Sequence, residues 1–187
     1  MKMKRNGLLA LMLASLTAVC LLTACNNGNS DDDDAPAAIA PTGAGTITTL
    51  NGKTFVCASY TDTFEYSSTQ TKSDGSTYTK YIKTYTNWSY ITGTSDTAAK
   101  YFSWNGSSYT STDITYSISG NTISFTWPGS GGGTGFTETA TITGGNSFKF
   151  SGSSQNISML NYTKTTSDQV FTEGSAPSSG SSSTSYQ

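Results

Sequence analysis

The sequence predicts an all-β protein whose folded part is an antiparallel up-and-down barrel of about eight to ten strands. Short runs of alternating apolar and hydroxyl residues recur between Gly, Asn and Asp, and the body shows no helical period. Ser and Thr fill roughly a third of the positions while charged residues fill only 12%, about half the usual share. A β-sandwich is the alternative, but tight sequential turns favour a barrel, which also removes exposed sheet edges.

The composition argues against several classes of function. The chain has no His, which removes His-based triads, His metal ligands and imidazole acid–base catalysis. Lys and Arg number 10 against 12 acids, with a pI near 4.9, which argues against nucleic-acid binding. No phosphate-binding loop, nucleophile elbow or metal-ligand cluster is visible, so we expect no enzymatic activity, no cofactor and no metal.

Residues 1–24 have the layout of a secretory signal peptide. Lys2, Lys4 and Arg5 form a positive region, and an apolar stretch follows from Leu8 to Ala24. A membrane-spanning helix is the alternative, since the stretch approaches the required ~20 residues. The four residues that end the segment decide between the two.

Those residues, Leu22-Thr23-Ala24-Cys25, resemble the bacterial lipobox. The resemblance implies cleavage before Cys25 and attachment of acyl chains such as palmitate to Cys25. Two or more chains give stable anchoring, where one would not. We therefore expect a bacterial cell-envelope lipoprotein of the outer membrane, held to the bilayer by lipid, with its periplasmic or surface face left open.

Residues 25–46 comprise the lipidated Cys and an acidic linker that we expect to be a disordered tether. Removal of residues 1–24 leaves seven Lys against twelve acids, a net charge of −5. The run Asp31–Asp34 is favoured as a solvated spacer over a calcium site, because it lacks a fixed turn and carbonyl ligands. The run also resembles the surface-export signal of some Bacteroidetes lipoproteins, although it starts later than that pattern prefers.

The barrel is expected over residues 47–166, followed by a Ser/Gly-rich tail at 167–187 that we expect to be disordered. In the first half, the pattern predicts a strand over Lys53–Tyr60, a hairpin loop over Lys72–Ser76 and strand segments over 78–85, 88–91 and 100–104.

The pattern in the second half of the barrel region predicts a meander of strands. Alternation over Thr112–Trp127 breaks at Gly120-Asn121, which indicates a tight hairpin. A further run over 136–143 ends at the turn Gly144–Asn146, and segments at 148–150 and 157–165 follow.

Two stretches carry a family resemblance. Leu50-Asn51-Gly52-Lys53-Thr54-Phe55 looks like the Gly-x-aromatic opening of lipocalin-like domains, with Phe55 in place of the usual Trp. Ile114–Phe125, with 139–144 and 148–150, is similar to the late strands of bacterial lipocalin-like lipoproteins. The resemblance implies a barrel that binds a small hydrophobic or amphipathic ligand.

Glu138 is the most informative candidate for such a site. It is in phase with Phe136, Ala140 and Ile142, on the face assigned inward, where it could anchor a polar group of the ligand. A solvated place at the barrel rim is the interpretation that we favour, because strand ends are usually in contact with water. Aromatic residues that could line a cavity or a carbohydrate-binding face, or that could simply form core, complete the candidate ligand-binding set: Trp88, Trp104, Tyr116 and Phe136.

Cys57 is the only thiol expected after processing, either as a reactive group or, as we favour, as a small buried side chain. Two further functions stay open beside ligand carriage. One is a surface-displayed adhesin or host-binding module, and the other is a periplasmic hydrolase inhibitor. The protein is expected to be a monomer.

Overall fold

The computed structural model describes residues 46–129 and 133–187. The predicted signal peptide, Cys25 and the linker up to residue 45 lie outside the described residues. The described part contains eleven strands and one short 3-10 turn at Ser158–Leu160. The strands are β1 (Thr54–Thr71), β2 (Thr77–Gly93), β3 (Ala98–Trp104), β4 (Tyr109–Ser119), β5 (Thr122–Trp127), β6 (Phe136–Gly144), β7 (Ser147–Phe150), β8 (Ser153–Ile157), β9 (Tyr162–Thr166), β10 (Gln169–Glu173) and β11 (Ser181–Tyr186).

Eight of these strands close into an antiparallel barrel, which confirms the predicted fold class. Strands β1 to β7 pair in sequence order, and β10 returns to pair with both β7 and β1. The hairpins at Gly120-Asn121 and at 144–146 lie where the pattern predicted them. Because every neighbour is antiparallel and nearly every connection is sequential, the barrel is up-and-down.

The two longest strands continue beyond the barrel into a second region. Residues Phe55–Cys57 of β1 pair with β10 in the barrel, whereas Asp62–Tyr66 pair with β9. On the other side, β11 pairs with Tyr81–Thr86 of β2. The outer halves of β1 and β2 therefore form the centre of a five-stranded layer in the order β8-β9-β1-β2-β11, which we call the projecting sheet.

An irregularity separates the barrel from the projecting sheet. Between the pairs Cys57↔Ser89 and Ser59↔Thr86, β2 carries one extra residue, and Asn87 adopts a φ of 47°. A bulge of this kind bends a strand and re-aims its side chains. Tyr60, just beyond the bulge, still packs against the barrel core.

The expectation that residues 167–187 are disordered is wrong. Gln169–Glu173 form the strand that closes the barrel, and Ser181–Tyr186 form an edge of the projecting sheet. The barrel therefore extends past residue 166. One residue explains the closure: Phe171 is 1% exposed and stacks on Phe148 at 5.3 Å between ring centroids.

The core fills the barrel around five phenylalanine rings, with neighbouring centroids 5.2 to 6.1 Å apart. They are Phe55, Phe125, Phe148, Phe150 and Phe171. At the end where the chain enters, Ile47 and Leu50 are buried in the same cluster. The Leu50 carbonyl crosses the end of β2 so closely that a Cβ at Gly93 would overlap it. We call this the closed end.

Within residues 46–129 and 133–187, no helix has the length and apolar character needed to cross a bilayer.

Candidate functional site

Glu138 lies on the inner side of the barrel, in phase with the buried Ala140 and directly across from the buried Phe125. The sequence pattern predicted this placement. The side chain is only half-buried, because β6 begins two residues earlier, at the end of the barrel opposite the closed end. Burial raises the pKa of the Glu138 carboxyl above its ordinary value.

A small group of polar side chains lies near Glu138, inside the end of the barrel opposite the closed end. We call this the open end. The Tyr101 ring contacts Trp127 edge-on at 4.7 Å. Burial, together with smaller contributions from the nearby Cys57 and Glu138, raises the pKa of the Tyr101 hydroxyl to about 12, although Ser89 opposes the shift. The indole nitrogen of Trp127 is buried and has no hydrogen-bond partner among the described residues. Of the described residues, this group most resembles the ligand-binding site that the sequence predicted around Glu138.

Cys57 is fully buried on β1, and burial raises the pKa of its thiol to about 12. A thiol with that pKa stays protonated at neutral pH and is a poor nucleophile. The structure therefore agrees with a small buried side chain.

The other predicted ligand-binding residues do not converge. Tyr116 is buried at the closed end, where its hydroxyl accepts from the Leu50 N–H at 3.0 Å and donates to the Ser95 carbonyl at 2.8 Å. Phe136 is exposed at the opposite rim and stacks on Trp127. Tyr116 is therefore a structural residue whose hydroxyl supports the closed end.

The two remaining tryptophans belong to other clusters. Trp88 contacts Tyr85 at 4.8 Å, beside the bulge in β2. Trp104 contacts Tyr109 at 5.0 Å and alternates with the inward Tyr101, so it lies on the outer side of the barrel. The connection to β11 passes over it, since a Cβ at Gly180 would lie 2.9 Å from the Trp104 side chain.

The structure brings together a set of aromatic residues that sequence reasoning missed. Six rings gather on one face of the projecting sheet, with neighbouring centroids 4.5 to 6.1 Å apart. The pairings explain the clustering, because Phe64 lies opposite Tyr81, Tyr66 opposite Tyr162, and Tyr81 opposite Tyr186. We call this set the aromatic face: Phe64, Tyr66, Tyr78, Tyr81, Tyr162 and Tyr186.

Three ammonium groups lie over rings on this side of the sheet. Lys72 Nζ is 4.2 Å from the centre of the Tyr186 ring, and Lys164 Nζ is 5.7 Å from that of Phe64. Lys83 Nζ is 5.0 Å from the centre of the Tyr85 ring. Such contacts hold a cation against an aromatic surface while leaving it available to an anion.

Asp62 is the one carboxylate that the register places on this side of the described sheet, and it is already occupied. It is 4% exposed and lies 3.0 Å from Lys164 Nζ. It also accepts hydrogen bonds from the Thr166 hydroxyl at 2.7 Å and the Tyr85 hydroxyl at 3.3 Å. Asp62 thus ties β1, β2 and β9 together where the projecting sheet leaves the barrel.

Two shallow grooves are present on the surface. One, of about 440 Å³, lies at an end of the projecting sheet, where Tyr66 and Tyr162 of the aromatic face line it together with Glu65, Asn156 and Thr163. The other, of about 340 Å³, runs along Ala98, Thr115 and Thr126, which alternate with inward core residues. Both therefore lie on outer surfaces, and neither enters the phenylalanine-filled interior.

No family model, curated protein or solved structure matches this chain.

Proposed function

We propose that this protein is a lipid-anchored binding protein of the bacterial cell envelope that presents its projecting sheet to an extracellular partner. The observation that carries the proposal is the aromatic face. Its six rings pack on one another, yet Tyr186 is exposed and the other five rings are only partly buried. Exposed aromatic surfaces of this kind mark interaction sites.

The path of the chain supports display away from a membrane. The described part begins at the closed end, beside Ile47 and Leu50. β1 then runs the length of the barrel, and its far half forms the projecting sheet. The described part thus begins at the closed end and carries the aromatic face at its other end. On this proposal, residues 26–46 are the tether that joins it to a lipid on Cys25.

Proteolysis of intact cells tests this arrangement. A protease added outside should cut within residues 26–46 and release the barrel with its projecting sheet, because that stretch is the expected tether. The matched control replaces residues 1–25 with a signal peptide that is cleaved without lipidation, because Cys25→Ala alone would leave the apolar stretch Leu8–Ala24 attached. This variant should leave the membrane fraction without protease. Protection of the protein until the outer membrane is permeabilised would show that the face does not meet an extracellular partner.

A second candidate function is carriage of a small hydrophobic or amphipathic ligand in the open end of the barrel. The specific support is the buried, unpartnered Trp127 indole nitrogen near Tyr101 and the inward Glu138. The ligand would offer one hydrogen-bond acceptor to that N–H. Native mass spectrometry of the lipidated protein from its own membrane should then show a stoichiometric adduct that Trp127→Phe loses, whereas a bare mass counts against carriage.

A further inference from the structure

We infer that the aromatic face binds an acidic polysaccharide, a chain of sugar rings that carry carboxylate groups. This rests on the proposed function and names the partner class of the same surface. Three features carry it: the width of the ring platform, the ammonium groups over it and the position of the acids.

The platform is wide enough for a polymer. Tyr162 lies on β9, Phe64 and Tyr66 on β1, Tyr81 on β2 and Tyr186 on β11. Four adjacent strands at ~4.8 Å spacing give a row of rings about 14 Å across. Sugar rings present C–H groups that pack on aromatic faces, while tyrosine hydroxyls can hydrogen-bond to sugar hydroxyls. A row this long accommodates more than one sugar.

The charges on the face favour an anion. Lys72 and Lys83 make no salt bridge among the described residues, and both hold their ammonium groups over rings. The buried Asp62 is committed to Lys164, and Asp74 at the hairpin tip turns toward the Ser76 hydroxyl and N–H. This side of the sheet is therefore locally positive.

The rest of the molecule limits which anion fits. After removal of residues 1–24, the chain carries seven Lys against twelve acids. A long, dense polyanion such as nucleic acid would be repelled by that excess beyond the face. A polysaccharide with spaced carboxylates needs only a few cations and gains most of its contact from stacking. A neutral polysaccharide would leave Lys72 and Lys83 without a partner.

The test uses the full lipidated chain in detergent and a matched pair of probes. Hyaluronan, which carries a carboxylate on every second sugar, is the acidic probe, and the same polymer with its carboxylates methyl-esterified is the neutral one. We expect binding of the acidic probe by isothermal titration calorimetry, with weaker binding of the ester. The double variant Lys72→Gln/Lys83→Gln should lower affinity for the acidic probe roughly tenfold and flatten its salt dependence.

Two further variants separate the contribution of ring stacking from that of charge. Tyr81→Ala should weaken the binding of both probes, because it removes a ring from the centre of the platform. Lys80→Gln is the matched control, since Lys80 lies on the same strand and pairs with Glu65 on the opposite face. It should leave both affinities unchanged.

Several outcomes would overturn the inference. Equal binding of both probes would remove the acidic specificity and leave a polysaccharide-binding face. Failure of both probes, binding of single-stranded DNA in their place, or an equal loss with Lys80→Gln would each reject it. A dimer in sedimentation analysis that Tyr81→Ala dissociates would assign the face to a second copy of this chain. None of these results depends on the intact-cell proteolysis that tests display.

Discussion

The barrel and the projecting sheet share β1 and β2, yet opposite physical terms stabilise them. In the barrel, phenylalanine rings are withdrawn from water, and burial of apolar area dominates. In the projecting sheet, the aromatic rings are only partly buried, and the buried Asp62 joins three strands through polar contacts. One pair of strands thus serves as core at one end and as binding surface at the other, and the bulge at Asn87 marks the change.

The largest expected difference comes from two truncations. Ending the chain at Thr166 removes β10 and Phe171, which opens the barrel and exposes the edges of β1 and β7. We expect loss of the cooperative thermal transition in circular dichroism. Ending it at Gly174 removes only β11, whose residues are all exposed, so the Tm should fall by about 2–4 °C. Equal damage from both truncations would show that the two regions fold as one unit.

Replacement of single aromatic residues by Ala should show the same contrast between the barrel and the projecting sheet, with smaller losses of stability. Phe148→Ala removes a fully buried ring that contacts Phe55, Phe125 and Phe171, and should cost about 3–5 kcal/mol of unfolding free energy. Tyr81→Ala, the matched change in the projecting sheet, should cost less than about 2 kcal/mol because its ring is partly exposed. Urea unfolding measures both, and similar losses would contradict the comparison.

The next largest effect on stability is expected at the ion pair between Asp62 and Lys164, where the projecting sheet leaves the barrel. Asp62→Asn keeps the shape but removes the charge that faces Lys164, whose side chain is 17% exposed. We expect a loss of about 2 kcal/mol, less than for a fully buried pair. Asp113→Asn is the control, because the Asp113 side chain is 83% exposed in its pair with Lys100, and it should change stability by at most about 0.5 kcal/mol. Comparable effects would mean that burial does not distinguish the two pairs.

Glu138 should give the smallest effect, with a definite pH dependence. Burial raises the folded-state pKa above the ordinary 4.5, so the folded protein prefers the protonated carboxyl. Stability is then fullest below pH 4.5 and declines as pH rises through the raised pKa. Glu138→Gln should therefore raise the Tm at pH 7 and leave it unchanged near pH 4. A gain that is equal at both values would point to packing instead of charge.

Local patterns were enough to predict much of the barrel. Alternation over 112–127 and 136–143 gave strands whose predicted inward residues are buried or half-buried, except Phe136, which is exposed at the rim where β6 begins. Turn residues at Gly120-Asn121 and at 144–146 placed the hairpins. These features depend on neighbours in the chain, so the sequence displays them directly.

The candidate site depended on pairings that alternation does not specify. Asp62 meets Thr166 across 104 positions, and β11 reaches β2 from a Ser/Gly-rich segment that reads as a tail. Tyr116 and Glu138 both face inward on strands that flank Phe125, but the Tyr116 hydroxyl is already bonded to the Leu50 N–H and the Ser95 carbonyl at the closed end. Period-two patterning assigns a residue to one side of a strand and leaves open which strand lies beside it.

By itself, then, the amino-acid sequence determined the β class, the meander, the inward residues of the later strands and the expectation of a lipidated Cys25. Tertiary structure alone decided that β10 closes the barrel, that β8, β9 and β11 extend it, and that six rings from four strands meet on one face. The physical reason is that side-chain alternation is a local property of the backbone. Partner choice between distant strands is instead set by which combination of pairings buries Phe171 and satisfies Asp62 together.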